Sequence, residues 1–400
     1  RLIELILRII WAVAVPVMLV SDSTAYDTFA QNLANANVYG WEPTSPTAYW
    51  PPGTSFIYSL FYRVFGHNYV PIIVLNLFVA AIVIWVSMYL AQTWFNRRIA
   101  ILTGLLLALW PSQIEFTTVL ASELIFTALV LVALALWLNE RMNLQLRTVL
   151  DGVILAAAAY VRPTALSIPI LLGFFRWVKT GKIFKTSKAI LIMFVLMAVL
   201  IAPWSIRNTR LFGQFVLIST NGGANFWMGN NPNSTGSFWD CFLNFPPEVK
   251  GMNEAQRDDY LESVAKAYIR EKPLLFLKRF FTRLIDTHRR ESIGIAWNQE
   301  GLKTRYGEWI LSPIKIVNQI YWMAVLGLAL VGIILLGKEY GWVATISHPT
   351  VVLWGYYAAV HAIIISQDRY HFPSIPMIAI LAAFTLGYWL DKKNRKQSPN

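Results

Sequence analysis

Apolar residues along this chain gather into long, almost uninterrupted runs, and the polar positions fall between the runs rather than alternating within them. Ten runs stand out, at 3–20, 70–95, 99–113, 119–138, 148–161, 164–178, 189–205, 313–337, 343–365 and 372–390. A hydrocarbon layer about 30 Å thick takes about 20 such residues per helix, fewer where neighbouring protein shields the ends. The pattern therefore predicts an all-α polytopic membrane protein with a bundle of about ten transmembrane helices. Cations decide its orientation. The segment 176–188, RWVKTGKIFKTSK, carries five of them and no acid, and Arg97-Arg98, Arg141 with Arg147, and the tail DKKNRKQ form similar clusters. The positive-inside rule makes all four clusters cytoplasmic. That holds only if 148–161 and 164–178 are separate passes that turn at Arg162-Pro163. Both ends of the chain are then expected inside, and the two long loops, 21–69 and 206–312, outside.

Three regions follow from this parity: 1–205, a transmembrane module whose first outer loop is 21–69; 206–312, an extracytoplasmic region; and 313–400, C-terminal spans with a basic tail. Inside the second loop, the stretch 253–291 has helical apolar spacing broken at Pro273. It predicts two amphipathic helices, the second basic and aromatic and lying at the membrane surface.

Composition agrees with the pattern. Hydrophobic residues make up 56% of the chain and charged ones 14%. The net charge of +12 sits in short clusters between apolar runs, which is topology and not a nucleic-acid surface. Cys241 is the single cysteine, so no internal disulfide forms and no zinc spacing exists. The five histidines make no metal motif, and no phosphate-binding or dinucleotide glycine pattern appears, so ATP is not the energy source. The first run has no small-residue cleavage site and is expected to be a retained helix.

Candidate chemistry collects where the runs meet the outer face. Asp22 stands just beyond the first run, and Asp27 follows at helical spacing. One of them, or Ser21, suffices to cap a short helix. A carboxylate at the edge of hydrocarbon is costly unless it is used, which makes Asp22 the candidate general base and Asp27 its companion. Glu123 opens an otherwise apolar run on the same side, either as a charge favoured by the helix dipole or as the second carboxylate of a catalytic pair. Glu115 falls on that face too. Arg162, Arg207 and Arg369 each close or open a run at the outer face, where a guanidinium snorkels to headgroups or grips a phosphate with its planar fork. His371, near Arg369, is the one histidine placed with them.

These residues stand in motifs. Asp22 and Tyr26 follow the first helix, YWPPGTSFIYSLFYRVFG fills the first outer loop, SE stands at 122–123, and YVRPTAL, APWSIRNTRLFGQFVLISTNGGANFWMGNNPNSTG and DRYHFPSIPM come later. Together they resemble bacterial glycosyltransferase family 39 and its relatives, the GT-C membrane glycosyltransferases that include protein O-mannosyltransferases and the lipid A aminoarabinose transferase. The Asp-Glu dyad of the mannosyltransferases is Asp22-Ser23 here, and fewer helices follow the long loop than in most relatives.

The resemblance implies a helix bundle with an outward-facing cavity in a bacterial inner membrane. There a sugar passes, with inversion, from a polyprenyl-phosphate donor to a glycan, lipid or protein acceptor. Asp22 is then the expected base and Asp27 its lesser partner. Glu123 orients the acceptor or, with Asp22, holds a divalent cation such as Mg or Mn. Arg207, Arg369 and Arg162 hold the donor phosphate. Tyr26, Tyr49, Asn208, Asn230, Tyr370 and His371, all within the quoted motifs, are expected in the substrate cavity. Membrane lipids are the other partners, and nucleic acid is not one. A transporter or flippase of a lipid-linked anion is the alternative, although the charges cluster at one face and not at midplane.

Overall fold

The computed structural model describes residues 2–237 and 244–397, so Cys241 lies outside the described residues. Each of the ten apolar runs carries a helix. The chain begins with α1 (Leu2–Ala14), α2 (Asp22–Ala36), a small antiparallel hairpin of β1 (Gly40–Glu42) and β2 (Ser45–Pro46), and α3 (Gly53–Phe65). The first membrane block follows as α4 (Val70–Trp94), α5 (Arg97–Ala108), α6 (Pro111–Glu115), α7 (Glu123–Leu138), α8 (Leu144–Val161), α9 (Ile168–Thr180) and α10 (Ile183–Phe212). The second outer loop is helical, with α11 (Gly222–Gly229), α12 (Glu254–Glu271), α13 (Pro273–Arg289) and α14 (Ile293–Tyr306). The chain closes with α15 (Leu311–Tyr340), α16 (Trp342–Ile346), α17 (Pro349–Ile363) and α18 (Ile375–Gln397).

Length separates the spans into two kinds. Five helices are long and apolar enough to cross a membrane alone, and the bent pair formed by α5 and 111–118, which turns through 59° at Pro111, makes a sixth if it is one span. Others, such as α7 with 16 residues and α17 with 15, rise about 1.5 Å per residue and fall short of the full hydrocarbon thickness by themselves. They are tolerated because they are packed in the bundle: most of α7 is buried. Pro163 ends α8, and a short 3-10 turn over Pro163–Ser167 leads into α9, so the two runs that meet at Arg162 are separate helices.

Helix α18 is the axis of the bundle. Its span is 78% buried, and its unbroken interior stretch Ile375–Ala383 packs chiefly against α15 and α5. Helix α10, at 28% buried, lies at the edge. In the second outer loop the break at Pro273 divides α12 from α13 as its spacing predicts, and Asn253 closes a capping box with Gln256 at the start of α12. Leu274, Leu277, Phe281 and Ile285 keep an apolar stripe of α13 exposed, the face that a membrane surface would cover.

The two outer loops are tied together by one carboxylate. Glu254 accepts from the Thr47 hydroxyl at 2.6 Å and the Ala48 amide at 2.5 Å, while the Thr220 amide donates to the Ala48 carbonyl at 2.9 Å. The cation clusters that fix the expected orientation give a direct test. In a Cys241→Ser background, Lys250→Cys should react with a membrane-impermeant maleimide in intact cells and Lys182→Cys only after lysis; the opposite pattern inverts the topology.

Candidate active site

Two helix starts and two helix ends converge at one rim of the bundle. The link after α1 turns at Ser21, whose φ of 53° and ψ of −131° put a non-glycine residue in the positive-φ region and leave its side chain making no cap bond. Asp22 then opens α2. Arg369 comes from the far end of the chain, in the 3-10 turn Asp368–Ser374 between α17 and α18. Asp368 pins that turn by accepting from the Ser292 amide at 2.8 Å and hydroxyl at 2.7 Å. The Arg369 guanidinium meets the Asp22 carboxylate at 2.5 Å and lies over the rings of Trp297 and Tyr370, 5.2 and 5.3 Å from their centres.

The second pair has the same construction. Glu123 opens α7, and Arg162 closes α8 in an extended conformation imposed by Pro163. Arg162 forms an ion pair with Glu123 and donates through Nε to Ser122 Oγ at 2.9 Å. Tyr26 sits within electrostatic reach of both carboxylates, and burial, followed by the Asp22 and Glu123 charges, pushes its phenol well above the usual range. Tyr26 is thus a neutral hydrogen-bonding group between two ion pairs.

Above them opens a cavity of about 1070 Å³. Asp22, Arg369, Arg162 and Ser122 belong to its floor. Trp41, Tyr49 and Trp50 of the first outer loop line it, as do Asn221, Asn225 and Arg257 of the second. Flat aromatic faces opposite amides and a guanidinium suit a sugar, whose C–H faces stack while its hydroxyls are bonded.

The structure brings Asp22, Arg369, Arg162, Tyr26, Tyr49 and Tyr370 to this cavity, with Glu123 directly behind Ser122. The other expected site residues do not line it. Asp27 is buried 5 residues along α2, where Gln31, Tyr62 and His67 bond it at 2.7, 2.6 and 3.0 Å, so it joins α2 to α3 and the loop that follows. Arg207 donates to the Thr47 carbonyl at 2.7 Å and to Asn208, over the face of Trp204 at 4.4 Å. Asn208 holds the Ile218 carbonyl at 3.2 Å. Asn230 donates to the Phe226 and Ile363 carbonyls. His371 is buried, stacked on Trp322 at 4.2 Å and bonded to the Thr287 carbonyl. Glu115 is enclosed by Asn318.

The apolar pattern gave no signal for Ser122, Trp41, Trp50, Asn221, Asn225 and Arg257; the SE pair, the aromatic, Pro-rich first loop and the NGG block pointed to the first five, and nothing pointed to Arg257.

A resident metal does not fit these residues. Among the described residues no three His, Cys, Asp or Glu groups come together, and the two carboxylates available are each already neutralised by a guanidinium. A divalent cation would have to evict Arg369 and Arg162 together.

The helix bundle shares its fold with solved structures of membrane transferases. The family model described as dolichyl-phosphate-mannose-protein mannosyltransferase matches residues 50–206, so the resemblance read from the motifs stands. The fold is similar to that of the oligosaccharyltransferase of Archaeoglobus fulgidus in complex with Zn and sulfate, at 14% identity and a TM-score of 0.58 over 98% of this chain and 49% of that one. It is similar as well to the same organism's AglB in complex with an inhibitory peptide and a dolichol-phosphate, at 12% identity and a TM-score of 0.56 over 99% of this chain and 51% of that one. ArnT from Cupriavidus metallidurans bound to undecaprenyl phosphate also matches, at 15% identity and a TM-score of 0.47, over 97% of this chain and 75% of that one. The chain thus spans about half the length of the archaeal structures. No curated protein sequence matches it significantly.

Two expectations test the local structure. Ser21→Gly removes a Cβ from a positive-φ position and should raise the melting temperature by the equivalent of about 1 kcal/mol, whereas Ser21→Pro, which cannot reach φ of 53°, should prevent folding. Asp258 accepts from the Gly223 and Ala224 amides at 2.6 and 3.2 Å, and burial pushes its carboxyl from 3.8 up to about 6. A raised carboxyl favours the folded state while protonated, so its contribution is full below about pH 4 and is lost as pH rises through about 6. Melting temperature should fall over that window in the wild type, by no more than about 3 kcal/mol of stability. Asp258→Asn should flatten the fall.

Proposed function

We propose that this protein transfers a sugar from a polyprenyl-phosphate donor to an acceptor hydroxyl at the outer face of a bacterial inner membrane. The observation that carries the reading is the floor of the cavity, where two carboxylates and two guanidiniums stand at helix ends between the bundle and the outer loops. The dolichol phosphate bound by the archaeal relative and the description of the matching family model support a lipid-phosphate donor.

In this reading the lipid tail of the donor stays in the bilayer and its phosphate enters the floor, where Arg369 and Arg162 face it. Asp22 takes the proton of the acceptor hydroxyl as the acceptor oxygen bonds to the anomeric carbon. The bond from that carbon to the phosphate oxygen breaks, and the lipid phosphate leaves with the electron pair. A single displacement inverts the anomeric centre. The arginines stabilise the charge that develops on the leaving phosphate. Glu123 keeps Arg162 and Ser122 in place, and the aromatic and amide walls hold the sugars. Arg207 contributes through the Thr47 loop, and Asp27 by anchoring α2.

Purified protein given radiolabelled polyprenyl-phosphate sugars and a mixture of glycan acceptors should release lipid phosphate and form a labelled product. Asp22→Asn should lower turnover by at least about a hundredfold, the usual scale for loss of a general base. Asp27→Asn should lower it less, and in step with a loss of thermal stability. A larger activity loss in Asp27→Asn at unchanged stability would move the base to Asp27.

A further inference from the structure

The donor phosphate of the proposed reaction meets a floor whose two guanidiniums, Arg162 and Arg369, are both paired with carboxylates. Arg162 is bound to Glu123, which is fully buried, and to Ser122 as well. Arg369 is bound to Asp22 through one nitrogen and one oxygen only, at 2.5 Å. That pair is the one open to the cavity at both members, with side-chain exposures of 11% for Arg369 and 20% for Asp22. Arg369 Nε is buried without a hydrogen-bond partner, so the guanidinium has an unused donor edge. The rings of Trp297 and Tyr370 flank the guanidinium independently of the Asp22 contact. On the other side of the pair, Asp22 follows directly on Ser21, a non-glycine residue held at positive φ.

We propose that the donor phosphate displaces Asp22 from Arg369, so that the proposed base is released only in a protein that already holds the donor. The inference rests on the reading of the site as one for a polyprenyl-phosphate sugar. The exchange is of ionic partners, with no bond made or broken: Arg369 keeps one anionic partner throughout, and Asp22 turns from a charge partner into a proton acceptor for the next ligand to enter. Binding is therefore ordered, donor before acceptor. Before the donor arrives, Asp22 is held by the Arg369 guanidinium through one of its oxygens. Catalysis and donor affinity then oppose one another at this residue, because the carboxylate that performs the chemistry competes with the phosphate for Arg369.

The competition is measured with two probes, a short-chain polyprenyl phosphate and the corresponding polyprenol, by the fluorescence of the full-length protein in detergent. Wild type should prefer the phosphate. Asp22→Asn should bind the phosphate at least about tenfold more tightly than wild type, since its competitor is gone, and bind the polyprenol unchanged. Combining it with Arg369→Gln should abolish the gain. Asp22→Ser gives the same comparison if the asparagine variant does not fold. Unchanged or weaker phosphate binding in both Asp22 variants, with wild type still preferring phosphate to polyprenol, overturns the exchange and leaves the proposed function standing. A wild type that binds the two probes equally removes the lipid-phosphate reading itself, and the exchange with it.

Discussion

Asp22 and Arg369 are 347 positions apart, and the ion pair between them closes the molecule. Around that contact the start of α2, the turn before α18 and α14 are held together, since Arg369 lies over Trp297 and Asp368 takes both hydrogens that Ser292 offers. A half-buried charge pair of this sort contributes little net stability, because desolvation offsets the attraction. Removal of one partner is another matter, costing about 3–5 kcal/mol when the remaining charge stays buried. The pair is therefore better understood as a constraint on geometry. It puts a carboxylate and a guanidinium at the floor of the cavity and leaves the rest of the chain to hold the two helix ends in register.

Much of the sequence that marks the fold performs that holding. In PWSIRN, Trp204 donates to the Ile218 carbonyl, Ser205 to Val216 and Asn208 to Ile218, while Arg207 reaches Thr47. The block thus clamps the end of α10 to the chain returning from it and to the first outer loop. The GNNP block acts at the opposite wall. Arg283, fully buried and with no carboxylate paired to it among the described residues, donates to the Ala362 and Ile363 carbonyls, to Gly229 and to Asn230 Oδ1. Carbonyls at two helix C-termini supply the negative end that this charge needs. A side chain at Gly229 would run into the Ile364 backbone, so only glycine lets α11 come this close to the wall that carries Ile364, Ile365 and Arg369.

This division explains what was legible in the sequence. Ten apolar runs predicted ten helical segments because hydrocarbon demands length, and the break at Arg162-Pro163 was readable because proline cannot continue a helix. Charged residues at the ends of runs were readable as exceptions to a costly environment, which is why Asp22, Glu123, Arg162 and Arg369 could be singled out. The same argument singled out Arg207 and Asp27, whose partners in the structure are a backbone carbonyl and a tyrosine, and sequence does not distinguish such partners from a ligand. The walls were legible only at Tyr49 and Tyr370. Trp41 lies in a loop with no periodicity and Arg257 on a helix whose spacing does not reveal what it faces, and both line the cavity where Glu254 and the Thr220–Ala48 bond tie the two loops together.

The position of the charges at helix ends also bears on how the site remains poised. Asp22 and Glu123 are each the first residue of a helix, where the unpaired amides favour negative charge, and Arg162 stands at a helix C-terminus, where the carbonyls favour positive charge. Each group is thus supported by its own backbone as well as by its partner. Exchange of one partner for an incoming phosphate then leaves no charge wholly uncompensated: Asp22 keeps the amides of α2, and Arg369 keeps its flanking rings and gains a new anion. A site made of side-chain pairs alone would collapse toward the surviving partner when one was displaced. Here the helix ends hold the carboxylates in place, which is what an exchange of ionic partners requires.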